Sequence, residues 1–187
     1  STVEIIGGKH IIPFGVRNEV RFVSLNNLNT YSGKVSRLKN KRIIVQNIVA
    51  HIRDHIKLIA SIDDGYNLDT VNNININNKD YSLYYVLGLL NSKLIHFYVY
   101  NFIYFNAIRT MHFDSRYSGK IPIANISENE MNEIEGIVVK LMEIPHKVDQ
   151  KEVNLYAQLE HELNSKIYRI YQLDENMIKL VEEQYGT

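Results

Sequence analysis

The fold of this chain is decided by residues 85–94, YVLGLLNSKL, near the middle of its 187 residues. In and around this stretch, apolar side chains recur at helical spacing, at Leu83, Val86, Leu87, Leu90, Leu94, Phe97 and Tyr98. The spacing predicts one long helix over residues 82–103. Its apolar run is interrupted by Asn91, Ser92, Lys93 and His96, which indicates a helix buried in a globular protein rather than a membrane span.

Short apolar segments precede the helix and predict strands at residues 3–6, 20–24, 43–49, 56–62 and 68–76. The third and fourth flank a polar stretch over 51–55, which predicts an antiparallel hairpin with a charged tip. Beyond the helix, Ser127 and Glu130 form a capping box that opens a helix to residue 144, and amphipathic helices follow over 153–173 and 174–184. We therefore expect a mixed α/β fold, with a twisted, mostly antiparallel sheet, a long buried helix and a C-terminal helical tail.

The charges are balanced in number but not in position. Lysine and arginine together number 21, as do aspartate and glutamate. Residues 1–125 hold 15 basic and 8 acidic side chains, whereas residues 126–187 hold 6 basic and 13 acidic ones. This asymmetry predicts a body over residues 1–125 that can face a polyanion. It also predicts an acidic helical tail over residues 126–187, which packs on the body or on a parent enzyme.

The residue inventory argues against a catalytic centre. The sequence has no cysteine, which excludes disulfides, thiolate metal sites and cysteine nucleophiles. It also lacks the glycine-rich phosphate and dinucleotide motifs and the nucleophile elbow. Asp63, Asp64 and Gly65 are typical of a turn, and His51 and His55 lack the glutamate spacing of a zinc site. We expect no catalytic residue and no metal site.

Six short segments then follow one another in the order known from one family. They are RIIVQ at 42–46, IASID at 59–63, DTVN at 69–72, the helix motif at 85–94, KIPI at 120–123 and LNSKIYRIYQL at 163–173. Together they resemble the C-terminal target-recognition (specificity) domain of adenine-specific DNA methyltransferases, in particular the TaqI-like type that also occurs in fused restriction–modification enzymes. The resemblance extends from Lys41 to the end, whereas the first forty residues carry no matching motif.

The resemblance implies a DNA sequence-recognition domain that positions a duplex for methyl transfer by a catalytic domain outside these residues. Its partners would be double-stranded DNA and the methyltransferase domain of the same polypeptide, with no membrane, and its location cytoplasmic. The fragment itself would hold no cofactor. The parent, a site-specific adenine methyltransferase, would bind S-adenosylmethionine, and endonuclease activity of the parent is left open.

Three alternatives accompany this interpretation. The chain is also similar to the recognition domains of type I restriction specificity subunits, which lack a fused catalytic domain. A protein-interaction module would use the helices over 153–184 as a coiled coil, although the apolar stripe there is short. A stand-alone hydrolase would use Asp63, Asp64 and the histidines.

The candidate DNA-binding residues divide by task. Residues 31–57 carry seven basic side chains against one acidic one, although on charge alone a solvated loop and strand edge is the simpler interpretation. Phosphate contacts are predicted for Lys34, Arg37, Lys39, Lys41 and Arg42, with Lys57 in the same basic segment. Base-edge contacts are predicted for His51, Arg53 and His55 at the hairpin tip and for Arg109, His112, Asp114 and Arg116 after the helix. We expect duplex binding by this chain in isolation to be salt-sensitive and weak, with little sequence preference unless the catalytic domain is present.

Overall fold

A computed structural model describes residues 2–19, 21–28, 35–36, 40–52, 55–107, 110–144 and 146–185. The strands are β1 (Thr2–Ile6), β2 (Ile11–Ile12), β3 (Gly15–Val16), β4 (Arg21–Ser24), β5 (Val35–Ser36), β6 (Arg42–Gln46), β7 (Ile48–Ile52), β8 (His55–Lys57), β9 (Ala60–Asp63), β10 (Tyr66–Leu68), β11 (Val71–Ile74) and β12 (Met111–His112). The helices are α1 (Leu25–Leu28), α2 (Leu83–Leu90), α3 (Lys93–Tyr98), α4 (Ser115–Ser118), α5 (Glu128–Glu143), α6 (Gln150–Ile170) and α7 (Glu175–Tyr185). The mixed α/β class is confirmed. None of the described helices is both long and apolar enough to cross a membrane.

The predicted hairpin is present, but each arm is divided in two. Near its base β6 pairs antiparallel with β9, and nearer its tip β7 pairs antiparallel with β8. One arm breaks at Asn47 and the other at residues 58–59, so the hairpin passes from one sheet, β11-β6-β9, into another, β12-β7-β8. The tip itself, residues 53–54, lies outside the described residues.

The N-terminal strands form a further sheet in the order β4-β1-β10-β5. Its β1–β10 pair is parallel, whereas the other strand pairs described are antiparallel. The single strand predicted over residues 68–76 is wrong, because a turn at residues 69–70 separates β10 from β11 and the two strands join different sheets. That turn brings Thr70 beside the 3₁₀ turn Gly8–His10.

The long helix predicted over residues 82–103 is also wrong as a single element. It is divided into α2, α3 and a π-helical turn, Val99–Ile103. The break has a local cause in Ser92, whose Oγ accepts a hydrogen bond from the Ile95 N–H and donates one to the Leu89 carbonyl. The serine thus caps the start of α3, which restarts the helix instead of continuing it.

Asn91, at the C-terminal end of α2, binds the helix break to the sheet. Its Oδ1 accepts a hydrogen bond from the Ala60 N–H at 3.1 Å, and its Nδ2 donates to the Ala60 carbonyl at 3.1 Å and to the Leu87 carbonyl at 3.2 Å. One side-chain amide therefore satisfies both backbone groups of a residue in β9 that is itself fully buried.

The C-terminal helices lie within a few residues of their predicted bounds. The capping box is confirmed, because the Ser127 Oγ accepts the Glu130 N–H and the Glu130 carboxylate accepts the Ser127 N–H. α5 packs on α2 at Gly88, where an added Cβ would lie 2.9 Å from Val138 Cγ2. Buried apolar residues from both predicted parts, such as Leu87 and Ile167, belong to one continuous core. The division at residue 125 stays a prediction.

His96 is a buried titratable group in this core. It lies in α3, and its Nε2–H donates to the Leu90 carbonyl at 3.0 Å. Burial lowers the pKa of His96 to about 3, and hydrogen bonds to backbone carbonyls offset this effect only in part. The folded protein therefore holds this imidazole in its neutral form.

Replacing Asn91 by leucine should lower the free energy of unfolding by about 2–3 kcal/mol, because the buried Ala60 N–H and carbonyl lose a partner. Denaturant unfolding followed by circular dichroism measures this change. The same substitution at exposed Asn132 in α5 is the control and should change stability by less than about 0.5 kcal/mol. Equal effects at the two positions would contradict the role assigned to Asn91.

The buried neutral His96 predicts a pH-dependent stability. The unfolded chain protonates this group near pH 6.5 and the folded chain only near pH 3, so the unfolded state binds more protons between these values. The contribution is fully present above pH 6.5 and should fall by about 1.4 kcal/mol for each pH unit below it. Comparing the wild-type chain with His96→Gln at about pH 7 and about pH 5 should show a smaller loss of stability in the variant. Exposed His146→Gln should behave like the wild type, and an equal pH dependence in His96→Gln would refute the assignment.

Candidate functional site

Five of the predicted DNA-binding residues lie outside the described residues: Lys34, Arg37, Lys39, Arg53 and Arg109. They stay predictions. For His51 the backbone alone can be placed, in β7 opposite Ile56. The other seven residues of the predicted set are described, and the structure separates them into groups with different surroundings.

Arg42 is a structural residue in this fold, which corrects its prediction as a phosphate contact. Its side chain is fully buried, and the guanidinium donates to the side-chain oxygen of Asn73 at 2.5 Å. It also donates to the carbonyls of Gly65, Asn40 and Asp63, at 2.6, 3.3 and 3.4 Å. Burial lowers the pKa of Arg42, while nearby Asp63 and Asp64 act against that shift. A guanidinium enclosed by these acceptors holds β6, β11 and the turn after β9 together and presents no donor to a ligand outside.

Two other predicted cations are exposed but already have partners. The Lys41 ammonium donates to the Tyr84 hydroxyl at 2.8 Å and lies 5.2 Å from the centre of that ring. Arg116, in the short helix α4, is 78% exposed and forms a 2.8 Å ion pair with Asp114. The side-chain hydrogen bond from Arg116 lowers the pKa of Asp114, so this carboxylate is ionised at neutral pH. An exposed ion pair of this kind is weak, so Arg116 can bind another anion in place of Asp114.

The remaining predicted residues share one face of the sheet β12-β7-β8. His112 pairs with Ile48 in β7, and in the same strand Ala50 pairs with Lys57. Because cross-strand partners and residues two apart lie on one side of a sheet, His112, Lys57 and His55 share a face. His112 and Lys57 are exposed, and so is Ile48, at 51%. His55 contacts the Tyr185 ring edge-on, with 4.9 Å between ring centroids.

A cleft of about 510 Å³ adjoins this face, and the sequence reasoning missed it. It is lined by Gly7, Gly8, Lys9, His10, Arg21, Gln46, Ile48, Leu68 and Thr70, and we call it the N-terminal cleft. Ile48 belongs both to the cleft and to the face that carries His112. The cleft and the sheet face are therefore continuous.

The 3₁₀ turn Gly8–His10 at the cleft is held from both sides. The Gly7 N–H donates to His10 Nδ1 at 2.9 Å, and the Gly8 N–H donates to the Thr70 hydroxyl at 3.0 Å. On the other side, Gln46 Nε2 donates to the Gly8 carbonyl at 2.7 Å. A Cβ at Gly8 would lie 2.6 Å from the Thr70 carbonyl oxygen, so only glycine allows this close approach. The adjacent Lys9 is therefore presented from a fixed backbone.

Three exposed cations surround His10: Lys9, Arg17 and Arg21. Burial lowers the pKa of His10, and the positive charges of these three residues lower it further, with Glu19 acting in the opposite direction. The imidazole is thus neutral, in agreement with its role as acceptor for Gly7. Within the described part of the chain, none of the three cations forms an ion pair with a carboxylate. The site therefore offers an excess of positive charge beside a concave surface.

The pairing of distant segments brings these cations together. Arg17 lies directly after β3, and its N–H donates to the His10 carbonyl at 2.8 Å. Arg21 begins β4 and pairs with Ile5 of β1, two residues before Gly7. A basic side chain at positions 9, 17 and 21 is visible in the sequence, but nothing in their spacing shows that they converge.

Two of the alternative site predictions can be placed as well. Asp63 accepts the Gly65 N–H at 2.7 Å, which gives it the turn role that the sequence favours. In α6, Leu159, Leu163 and Ile167 are buried in the core, whereas Leu155 is 44% exposed, so the central part of the apolar stripe proposed for a coiled coil is already covered by this chain.

Comparison with solved structures shows that this fold is known. The chain superposes on the type IIL restriction–modification enzyme MmeI in complex with DNA, with a TM-score of 0.63 and 8% sequence identity. The match covers 100% of this chain and 31% of the other chain, so this fold corresponds to about a third of that enzyme. No curated protein matches the sequence.

A family model described as the TaqI-like C-terminal specificity domain matches residues 3–123. The match confirms the family resemblance, but it covers a different range from the predicted one, which ran from Lys41 to the end of the chain. It includes the first forty residues, which carry the N-terminal cleft, and it ends close to residue 125, before the acidic helices. Because the match spans more than half of its residues, this chain belongs to the family of TaqI-like C-terminal specificity domains.

Proposed function

We propose that this chain is the DNA target-recognition domain of a restriction–modification enzyme. The observation that carries the proposal is the convergence of Lys9, Arg17 and Arg21, without carboxylate partners, beside a cleft in a specificity domain. Exposed cations beside a concave surface are suited to the phosphates of a duplex, whose negative charge dominates protein–DNA affinity. The DNA bound in the structurally similar enzyme MmeI supports the same partner.

The two parts of the site take different tasks in this proposal. The three cations at the N-terminal cleft contact phosphates and set the orientation of the duplex. The adjoining sheet face, with His112 and Lys57, approaches base edges, because it holds donors and acceptors on paired strands rather than on a free loop. The undescribed Lys34, Arg37 and Lys39 stay candidates for further phosphate contacts.

The chemistry is assigned to a separate catalytic domain of the parent polypeptide. The chain corresponds to 31% of MmeI, a proportion that suits one domain of a larger enzyme. We propose that the absent part transfers a methyl group from S-adenosylmethionine to adenine, as the family resemblance implies. We propose a cytoplasmic location, because the proposed partner is DNA.

Removing two charges at the cleft tests the proposal. The double variant Lys9→Gln/Arg21→Gln should bind a labelled duplex at least about tenfold more weakly near 0.1 M salt. The slope of log affinity against log salt concentration should fall in magnitude by about 2, because two phosphate contacts are lost. Fluorescence anisotropy titrations at several salt concentrations measure both quantities.

The matched control removes two charges from the acidic helices. Lys140 in α5 and Lys151 in α6 are exposed, so Lys140→Gln/Lys151→Gln makes the same change in net charge away from the cleft. This control should bind like the wild-type chain. If both double variants lose the same affinity, or neither does, the cleft is not the phosphate-binding surface. Absence of any duplex binding by the wild-type chain at low salt would refute the proposed function itself.

A further inference from the structure

Phe105 stands out among the aromatic residues because it is exposed on a constrained backbone. Its side chain is 78% exposed, more than that of any other aromatic residue in the described ranges. Phe105 and Asn106 both have left-handed backbone conformations, with φ of 51° and 56°. Such values are uncommon for a bulky residue and persist only where surrounding contacts impose them.

Hydrogen bonds around the turn impose this conformation. The Tyr104 N–H donates to the Val99 carbonyl at 2.8 Å, and the Asn106 N–H donates to the Tyr100 carbonyl at 2.9 Å. The Ala107 N–H donates a hydrogen bond to the Tyr104 carbonyl at 3.1 Å. The buried Tyr104 anchors the turn in the core. Phe105 is therefore held in the solvent by a fixed backbone.

The turn is attached to the proposed DNA-binding surface. The Tyr104 hydroxyl donates to the carbonyl of His112, which lies on the exposed face of β12. Tyr104 also packs edge-on against Tyr117, with ring centroids 5.0 Å apart. The charged ends of Arg116 and Lys120 lie 5.7 and 5.9 Å from the Tyr117 ring. The exposed Phe105 thus directly follows a tyrosine whose ring contacts Tyr117, the residue beside which Arg116 and Lys120 lie. An exposed apolar ring on a segment that is joined to basic residues suits the stacked bases and phosphates of a duplex.

We propose that Phe105 inserts as a wedge between two adjacent base pairs of the bound duplex and unstacks that step. The inference rests on the proposed DNA-recognition function and adds a second way in which the domain would recognise a DNA sequence. A wedge enters most readily at a deformable step, so Phe105 would select sequence through the deformability of the DNA, without hydrogen bonds to base edges.

Phe102 provides a matched control. It is also exposed, at 58%, but its ring stacks on Tyr98 at 5.4 Å and lies 6.4 Å from the Phe97 ring. Its packing partners belong to the same helical segment, and its backbone is helical. The Phe102→Ala variant removes the same aromatic side chain from the neighbouring turn without removing the proposed wedge.

The experiment uses the full 187-residue chain and a duplex that contains a single deformable pyrimidine–purine step. The fluorescent base 2-aminopurine, which brightens when it is unstacked, is placed at successive positions of that duplex. The wild-type chain should raise the fluorescence at one step. Phe105→Ala should abolish the rise and weaken binding about tenfold, whereas Phe102→Ala should keep both. Phe105→Leu, which retains an apolar side chain able to insert, should keep part of the rise.

The outcomes separate this inference from the proposed function. If the wild-type chain binds the duplex but no position brightens, or if Phe105→Ala keeps the full rise, the wedge is overturned while DNA recognition stands. If the wild-type chain binds no duplex at low salt, both are overturned. Because Phe105 is largely exposed, circular dichroism and thermal unfolding of Phe105→Ala should match the wild type, which excludes misfolding as the cause of a lost signal.

Discussion

The structure depends on two hydrogen bonds between the side-chain amide of Asn91 and the buried backbone of Ala60. Asn91, where the central helix breaks, satisfies both the N–H and the carbonyl of Ala60. The same Ala60 carbonyl also accepts the Phe14 N–H at 3.0 Å, in the turn between β2 and β3. Three separate parts of the chain therefore meet at one residue of β9. A buried polar junction of this kind specifies one arrangement, because any other would leave several hydrogen-bonding groups without partners.

The functional surface is connected to that junction through a short series of contacts. Phe14 fixes the β2–β3 turn, and Arg17, just after β3, donates its N–H to the His10 carbonyl. His10 in turn accepts the Gly7 N–H and shapes the backbone that carries Lys9. The cations beside the N-terminal cleft are thus positioned by a series of hydrogen bonds that begins at the central helix. These backbone contacts keep three positive charges close together without carboxylate partners. The phosphates of a duplex can neutralise such a group of charges.

The helical tail is attached by a second copy of the same four residues. Leu-Asn-Ser-Lys occurs at 90–93 and again at 163–166, and the two copies meet where the Lys93 N–H donates to Asn164 Oδ1 at 2.9 Å. Lys93 also forms a 2.6 Å ion pair with Glu182 of α7. Identical letters therefore have different roles: Asn91 holds the sheet, whereas Asn164 caps a helix from another helix. The acidic helices contact α2 and α3, while the cleft cations lie on or beside β1, β3 and β4, and so the charge asymmetry of the sequence becomes a division between structural elements.

The sequence by itself determined the mixed α/β class, the central hairpin, the C-terminal helices and the family, because periodicity, capping boxes and short motifs act over a few neighbouring residues. Tertiary structure alone decided that Asn91 binds Ala60 of β9, that Arg42 is buried among carbonyls, and that Lys9, Arg17 and Arg21 converge around His10 beside a cleft. In the sequence Arg42 is one basic residue in a basic run, and its role follows only from acceptors at Gly65 and Asn73, more than twenty positions away. The physical reason is the same in each case: strand pairing and buried hydrogen bonds join residues that are far apart along the chain, and local patterns carry no record of which ones meet.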